Sequence, residues 1–174
     1  MEQRLWKHPE FIKLWIGQTI SAFGSRITRD GLPLTAVIFL AATPGQMGVL
    51  VAISSLPVLL IGLLAGVWVD RLPRRPIMIA MDIGRLLVLL TIPAAALLGR
   101  LSIELLYVVA ATNSAMSLVF EVAYHALLPA LVEREHILEA NSKLSATEAL
   151  AEIGGPSLAG ALIQLITAPS GTKA

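Results

Sequence analysis

The chain has 174 residues, of which 56% are hydrophobic and only 14% charged. A soluble domain carries about 45–50% apolar and about 25% charged residues, so this composition excludes a water-facing surface and implies a bilayer as solvent. Thirteen basic residues against twelve acidic ones give a net charge of +1, and there is no cysteine; a basic nucleic-acid footprint, a disulfide framework, a thiol nucleophile and a cysteine-based metal site are all excluded.

A hydrocarbon core roughly 30 Å thick asks for about 20 mostly apolar residues per helix. On that ruler the sequence predicts an all-α integral membrane protein with about five transmembrane helices, over residues 11–40, 47–69, 77–98, 103–127 and 144–166. The first carries Gly24-Ser25 and Gly31-Leu32-Pro33 around Arg26, Arg29 and Asp30, which suggests a helix that bends or loosens its backbone bonding against protein or a cavity. Ala42-Thr43-Pro44-Gly45 reads as a Pro-Gly turn, and Arg71-Leu72-Pro73-Arg74-Arg75-Pro76 as a basic loop. Gly99-Arg100-Leu101-Ser102 closes the third hairpin, with Ser102 as N-cap of the fourth helix. The longest connection, residues 129–143, contains Glu133-Arg134-Glu135-His136 and Asn141-Ser142. It reads either as an amphipathic surface helix, with Asn141 or Ser142 capping the next span, or as a solvated loop of mixed charge. The chain stops just past the fifth span, and looks unfinished.

Loop charges set the orientation. Arg4, Lys7, Lys13, Arg71, Arg74, Arg75, Arg134 and Lys143 fall on one side, Arg100 and Lys173 on the other. The N-terminus is therefore expected in the cytoplasm and, with an odd number of spans, the C-terminus of this chain outside.

Once the residues of the loops and span ends are set aside, eight charged residues remain inside the predicted spans: Arg26, Arg29, Asp30, Asp82, Arg85, Glu121, Glu148 and Glu152. Each costs about 2.5–3.5 kcal/mol at the centre of a lipid-facing helix, so they are expected to face a shared interior or a water-filled cavity. Asp82 and Arg85, three apart, can pair locally and form a candidate support pair. Glu148 and Glu152, four apart, repel unless one is protonated or a cation meets them, and Arg26, Arg29 or Arg85 can supply it. Glu152 is a candidate proton carrier. Glu121 lies one turn from His125 and beside Tyr124. It lines a cavity if that face of the fourth helix turns inward, and otherwise pairs with a neighbouring arginine. Arg26, Arg29 and Asp30 form either a site at a helix interruption, where transporters hold substrates, or a structural ion pair. His8, His125 and His136 lack metal-ligand spacing, and there is no Gly-x-Ser-x-Gly elbow or phosphate loop. Nothing points to an enzyme.

Between the second and third predicted spans stands Gly66-Val67-Trp68-Val69-Asp70-Arg71-Leu72-Pro73-Arg74-Arg75. It resembles the signature Gly-x-Leu-Ala-Asp-Arg-x-Gly-Arg-Arg of the major facilitator superfamily, at the place where that family has it. Trp68 replaces leucine, and Pro73 replaces a glycine and excludes positive φ there. In the fifth span, Ala151-Glu152-Ile153-Gly154-Gly155-Pro156-Ser157-Leu158-Ala159-Gly160 is similar to the antiporter motif Gly-x-x-x-Gly-Pro-x-x-Gly-Gly, with Gly155, Pro156 and Gly160 matching. Small residues there let two helix backbones approach closely. The opening helix and Leu127-Leu128-Pro129-Ala130-Leu131-Val132 look like the branch containing macrolide-efflux and enterobactin-export proteins.

The resemblance implies the N-terminal part of a twelve-helix transporter, an incomplete six-helix bundle over residues 1–174, whose two halves rock around a central site. It implies proton-coupled export of drugs or other small molecules across the cell membrane. No cofactor is implied beyond the proton gradient, and no metal. By match, Gly66, Asp70, Arg71, Arg74 and Arg75 form a gate on the cytoplasmic side. Arg26, Arg29, Asp30, Glu121 and Glu152 are the candidates for cavity lining or proton coupling. The lipid bilayer, a small-molecule substrate and a C-terminal half or separate partner chain are the partners to expect. The alternative is a non-transporting membrane subunit, or a half-transporter that assembles with a separate chain.

Overall fold

The computed structural model describes residues 9–69, 72–131 and 137–167. They form five helices: α1 (Pro9–Leu40), α2 (Pro44–Val69), α3 (Arg74–Leu97), α4 (Ile103–Leu131) and α5 (Ile137–Thr167). No strand occurs among the described residues. Among the described residues, three stretches are apolar and long enough to cross a membrane: Pro44–Gly62 with 19 residues, Arg74–Leu97 with 24 and Ile103–Leu127 with 25. The helices α1 and α5 have 32 and 31 residues, about 46–48 Å at 1.5 Å per residue. Their length is ample, but their mid-helix charges keep them out of the apolar class.

Local chemistry moves several predicted boundaries. Thr43-Pro44-Gly45-Gln46 is a helix start and not a Pro-Gly turn. Pro44 occupies the first helical position, where its missing N–H costs nothing. Thr43 and Gln46 cap reciprocally, the Thr43 N–H donating to Gln46 Oε1 at 2.8 Å and the Gln46 N–H to Thr43 Oγ1 at 3.4 Å. The basic loop is shorter than expected, because Arg74, Arg75 and Pro76 already belong to α3. Pro73 precedes that helix with φ −66° and ψ 115°, a conformation that proline favours, so no positive φ is needed there. Ser102 caps α4 as expected, accepting from the Leu105 N–H at 3.3 Å.

The expected surface helix over 129–143 is not what forms. The helix α4 runs on to Leu131 and α5 begins at Ile137, while residues 132–136 lie outside the described residues. Asn141 and Ser142 sit inside α5 and cap nothing. Ser142 Oγ donates to the Leu138 carbonyl at 2.9 Å, and Lys143 pairs with Glu139 at 3.3 Å across one turn, an i,i+4 ion pair that supports the helix through this polar stretch. Likewise α1 runs unbroken through Gly24, Gly31 and Pro33. Thr28 Oγ1 donates to the Gly24 carbonyl at 2.8 Å, and the carbonyl that loses its helical donor to Pro33 is that of Arg29, four residues back.

Among the described residues, two carry the helix-ending left-handed conformation. Gly99, φ 64°, closes α3 in a Schellman motif, with the Arg100 N–H donating to the Ala95 carbonyl at 2.8 Å and the Gly99 N–H to that of Ala96 at 3.1 Å. Ala41, φ 48°, does the same duty after α1 without being glycine. An exchange of the two preferences is expected to show in thermal unfolding in detergent. Gly99→Ala destabilises by about 1 kcal/mol although no atom lies within 4 Å of the new Cβ, and Ala41→Gly stabilises by a similar amount.

The chain divides into two units. One joins the first part of α1, to Leu34, with α5 from Leu138; the other holds Thr35–Ile137. In the first, Ala140, Leu144, Thr147, Ala151 and Gly155 are buried. Their spacing of three and four residues marks a single face of α5. In the second, α4 packs on both α2 and α3 and supplies the core residues Leu106, Val109, Ala110, Phe120, Ala123, Tyr124 and Leu127. The outer face of α3, with Ile79, Ile83, Leu86, Leu87 and Leu90, is exposed, as suits a helix whose solvent is lipid.

Candidate functional site

The sequence-predicted charges separate into two groups. In the unit of α1 and α5, Arg26 Nη1 lies 3.0 Å from Glu152 Oε1. The Arg26 side chain is 26% exposed and that of Glu152 65%, so the pair is anchored on the arginine side and open on the carboxylate side. What brings them together is Gly155. A Cβ there would meet Arg26 Cβ at 2.6 Å, and one at Gly154 would meet the Phe23 ring at 3.3 Å. The Gly-Gly step of the antiporter-like motif thus seats α1 directly on α5. Above it in the same unit, the Trp15 indole N–H donates to Thr147 Oγ1 at 3.2 Å, which itself donates to the Lys143 carbonyl at 3.0 Å.

Gly160, the motif's last glycine, has nothing within 4 Å of an added Cβ, and Pro156 is exposed. Of the matched positions Gly155, Pro156 and Gly160, the close helix contact falls on Gly155. Among the described residues Arg29, Asp30 and Glu148 form no ion pair; Arg29 and Glu148 are exposed and Asp30 half-buried. Arg26 is the cation that Glu152 finds.

In the other unit, Arg85 is buried, at 8% exposure. Its guanidinium pairs with Asp82 one turn away, donates to Ser117 Oγ of α4 at 3.2 Å and stacks on the Phe120 ring at 4.9 Å. This joins a salt bridge, a hydroxyl and a cation–π contact on one cation, and it sews α3 to α4. From the signature loop, Arg74 Nη1 donates to the Ala126 carbonyl at 2.8 Å, tying the start of α3 to the end of α4, and Arg75 is exposed. Asp70 and Arg71 lie outside the described residues, and Gly66 falls within α2. Glu121 and His125 are both exposed and 3.9 Å apart, beyond hydrogen-bond distance; Tyr124 turns inward and its ring meets that of His125 at 5.2 Å.

Ser117 and Phe120, and the hydroxyls of Ser114, Tyr107 and Thr147, were not singled out by sequence reading. A polar hydroxyl in an apolar span is a signal for an interhelical bond, but it does not name the partner.

The transmembrane secretion effector family matches residues 5–171. A Bacillus subtilis (strain 168) protein, the uncharacterized MFS-type transporter YfiS, is 32% identical over 169 residues, which cover 94% of this chain and 38% of that protein. This chain therefore spans well under half the length of that relative. No solved structure matches it. With five helices, the signature loop between α2 and α3 and a family match along almost its whole length, the chain belongs to the transmembrane secretion effector family of major facilitator superfamily transporters.

Proposed function

We propose that this chain forms the leading part of a membrane exporter that moves drugs or other small molecules by alternating access, driven by protons, in the cell membrane. The N-terminus is cytoplasmic in this reading, and the end of this chain lies outside. The remainder of the machine is a further helical bundle, in the same protein or in a partner chain. Asp70, Arg71, Arg74 and Arg75 serve as the cytoplasmic lock, as their likeness to the family signature implies.

The observation that carries the coupling half of this reading is the Arg26–Glu152 pair. It crosses two helices that each hold further charge, and its carboxylate is the accessible partner. A proton added to Glu152 removes the negative charge that holds Arg26, so protonation weakens the tie between α1 and α5; release of the proton restores it. The chemistry needs no other group.

The test uses the protein reconstituted in vesicles, with ethidium as a cationic probe and an imposed pH gradient. Gradient-driven ethidium movement is expected in the wild type and is expected to vanish in Glu152→Gln, which retains downhill ethidium exchange. Equal gradient-driven rates in both would remove Glu152 from the coupling step. A wild-type protein that inserts but moves neither ethidium nor a panel of anionic and zwitterionic probes would favour the non-transporting subunit.

A further inference from the structure

Ser54-Ser55-Leu56-Pro57 stands in the middle of α2, a helix otherwise built almost entirely of aliphatic residues and glycine. Pro57 is buried and has no N–H, so the carbonyl of Ile53 loses its helical donor and the proline ring crowds the same turn. Ser54 Oγ donates to the Leu50 carbonyl at 2.8 Å and Ser55 Oγ to the Val51 carbonyl at 3.0 Å. Such back-bonding loosens and bends helices. Three neighbouring residues thus weaken a single turn.

That turn is held from outside. Ser114 Oγ of α4 donates to the Ser54 carbonyl at 2.5 Å. By helical rise, Ser54 lies about 15 Å along α2 and Ser114 about 16 Å along α4, the mid-depth of a core roughly 30 Å thick, where no water replaces a lost bond. The same two helices are tied once more, eight residues earlier in α2, where the Tyr107 hydroxyl donates to the Gln46 carbonyl at 3.2 Å. That second tie falls in the first turn of α2, already fixed by the Thr43–Gln46 capping box. The start of α2 is therefore fixed twice over, and its weakest turn is fixed by a rotatable hydroxyl.

We propose that residues 54–57 are a hinge in α2 and that the Ser114 hydroxyl is its latch. With the bond made, both halves of α2 lie against α4 in one arrangement. With it broken, the half beyond Pro57 moves independently of the half before it. Ser114 has a second acceptor within its own helix, the carbonyl of Ala110 four residues back, the kind of acceptor that Ser54 and Ser55 already use. The hydroxyl can turn from one to the other, so the latch opens without stranding a polar group in the bilayer.

The absence of cysteine makes spin labelling direct. In the protein reconstituted in lipid nanodiscs, one label pair at Leu60 and Val108 spans the hinge, and a second at Val49 and His125 reports the half of α2 before it; all four positions are exposed. Ser114→Ala is expected to raise the population of a second Leu60–Val108 distance roughly 3- to 10-fold, the factor for one net hydrogen bond, with the Val49–His125 distribution unchanged. Ser114→Thr, which keeps the hydroxyl, is expected to match the wild type, and Pro57→Ala is expected to suppress the effect of Ser114→Ala. An unchanged Leu60–Val108 distribution in Ser114→Ala, or equal broadening in both pairs, overturns the proposal, since equal broadening is what a packing defect gives. Should Pro57→Ala not fold, the contrast between Ser114→Ala and Ser114→Thr decides alone.

Discussion

Placing valine at Gly155 is expected to part α1 from α5 and to cost more stability than the same change at either of the other two glycines of the motif. The added Cβ would stand 2.6 Å from Arg26 Cβ and 3.6 Å from the Arg26 carbonyl carbon. Neither is the far end of a flexible side chain, so the helix itself must move. Overpacking of this kind costs about 1–3 kcal/mol, and a branched side chain against backbone belongs at the upper end. The neighbouring motif glycines set the scale. At Gly154 the obstacle is a Phe23 ring edge at 3.3 Å, which can give by a few tenths of an ångström, and at Gly160 there is open space. The order of melting temperatures in detergent should therefore be Gly160→Val above Gly154→Val above Gly155→Val, with Gly160→Val within about 0.5 kcal/mol of wild type. Equal losses at Gly155 and Gly160 would mean that the motif acts through backbone bending and not through close approach. Because Arg26 is rooted at the contact, Gly155→Val is also expected to break the Arg26–Glu152 pair.

The second large effect lies at Arg85. Removal of its carboxylate partner by Asp82→Ala leaves the buried guanidinium with Ser117 and the Phe120 face but without the Asp82 charge. Breaking a fully buried pair from one side costs about 3–5 kcal/mol, whereas replacing both partners by apolar residues is close to neutral; here the Asp82 side chain is 41% exposed, which puts the loss at the lower end. Asp82→Ala should thus be strongly destabilising, and Asp82→Ala combined with Arg85→Met should recover most of the loss. A double-mutant cycle on thermal or denaturant unfolding in micelles measures this. Additive losses would show that Asp82 and Arg85 are independent, and would refute the reading of Asp82 as the charge that holds Arg85 in place against Ser117 and Phe120 of α4.

Much of this was legible in the chain because it depends on composition and short spacing. Asp82 and Arg85 are three residues apart, and helical geometry alone puts them within reach of each other. Ser102 precedes an apolar run and caps it. Boundary errors arose where local bonding overrode a familiar dipeptide. Pro44-Gly45 looks like a turn until Thr43 and Gln46 are seen to close a capping box around it, and Asn141-Ser142 looks like a cap until Ser142 is seen to bond one turn back along α5. The small residues of the fifth helix suggested a close approach without identifying the glycine that makes it. Only Gly155 does so, because only there does the opposing helix present a Cβ.

What the sequence determined by itself is the solvent, the helical class, the signature loop and the roster of charges that lipid cannot hold unpaired. The cause is that bilayer thickness and charge solvation act on each segment separately, and so leave their mark in its composition. The tertiary structure decided the pairings: Glu152 meets Arg26 and not Arg29, Arg85 gains Ser117 and Phe120, and Ser114 holds the carbonyl of Ser54. Those contacts join residues 32 to 126 positions apart, and they depend on how each helix is rotated about its axis. Rotation is set by the sum of all packing along a face, a quantity that no single residue or motif records.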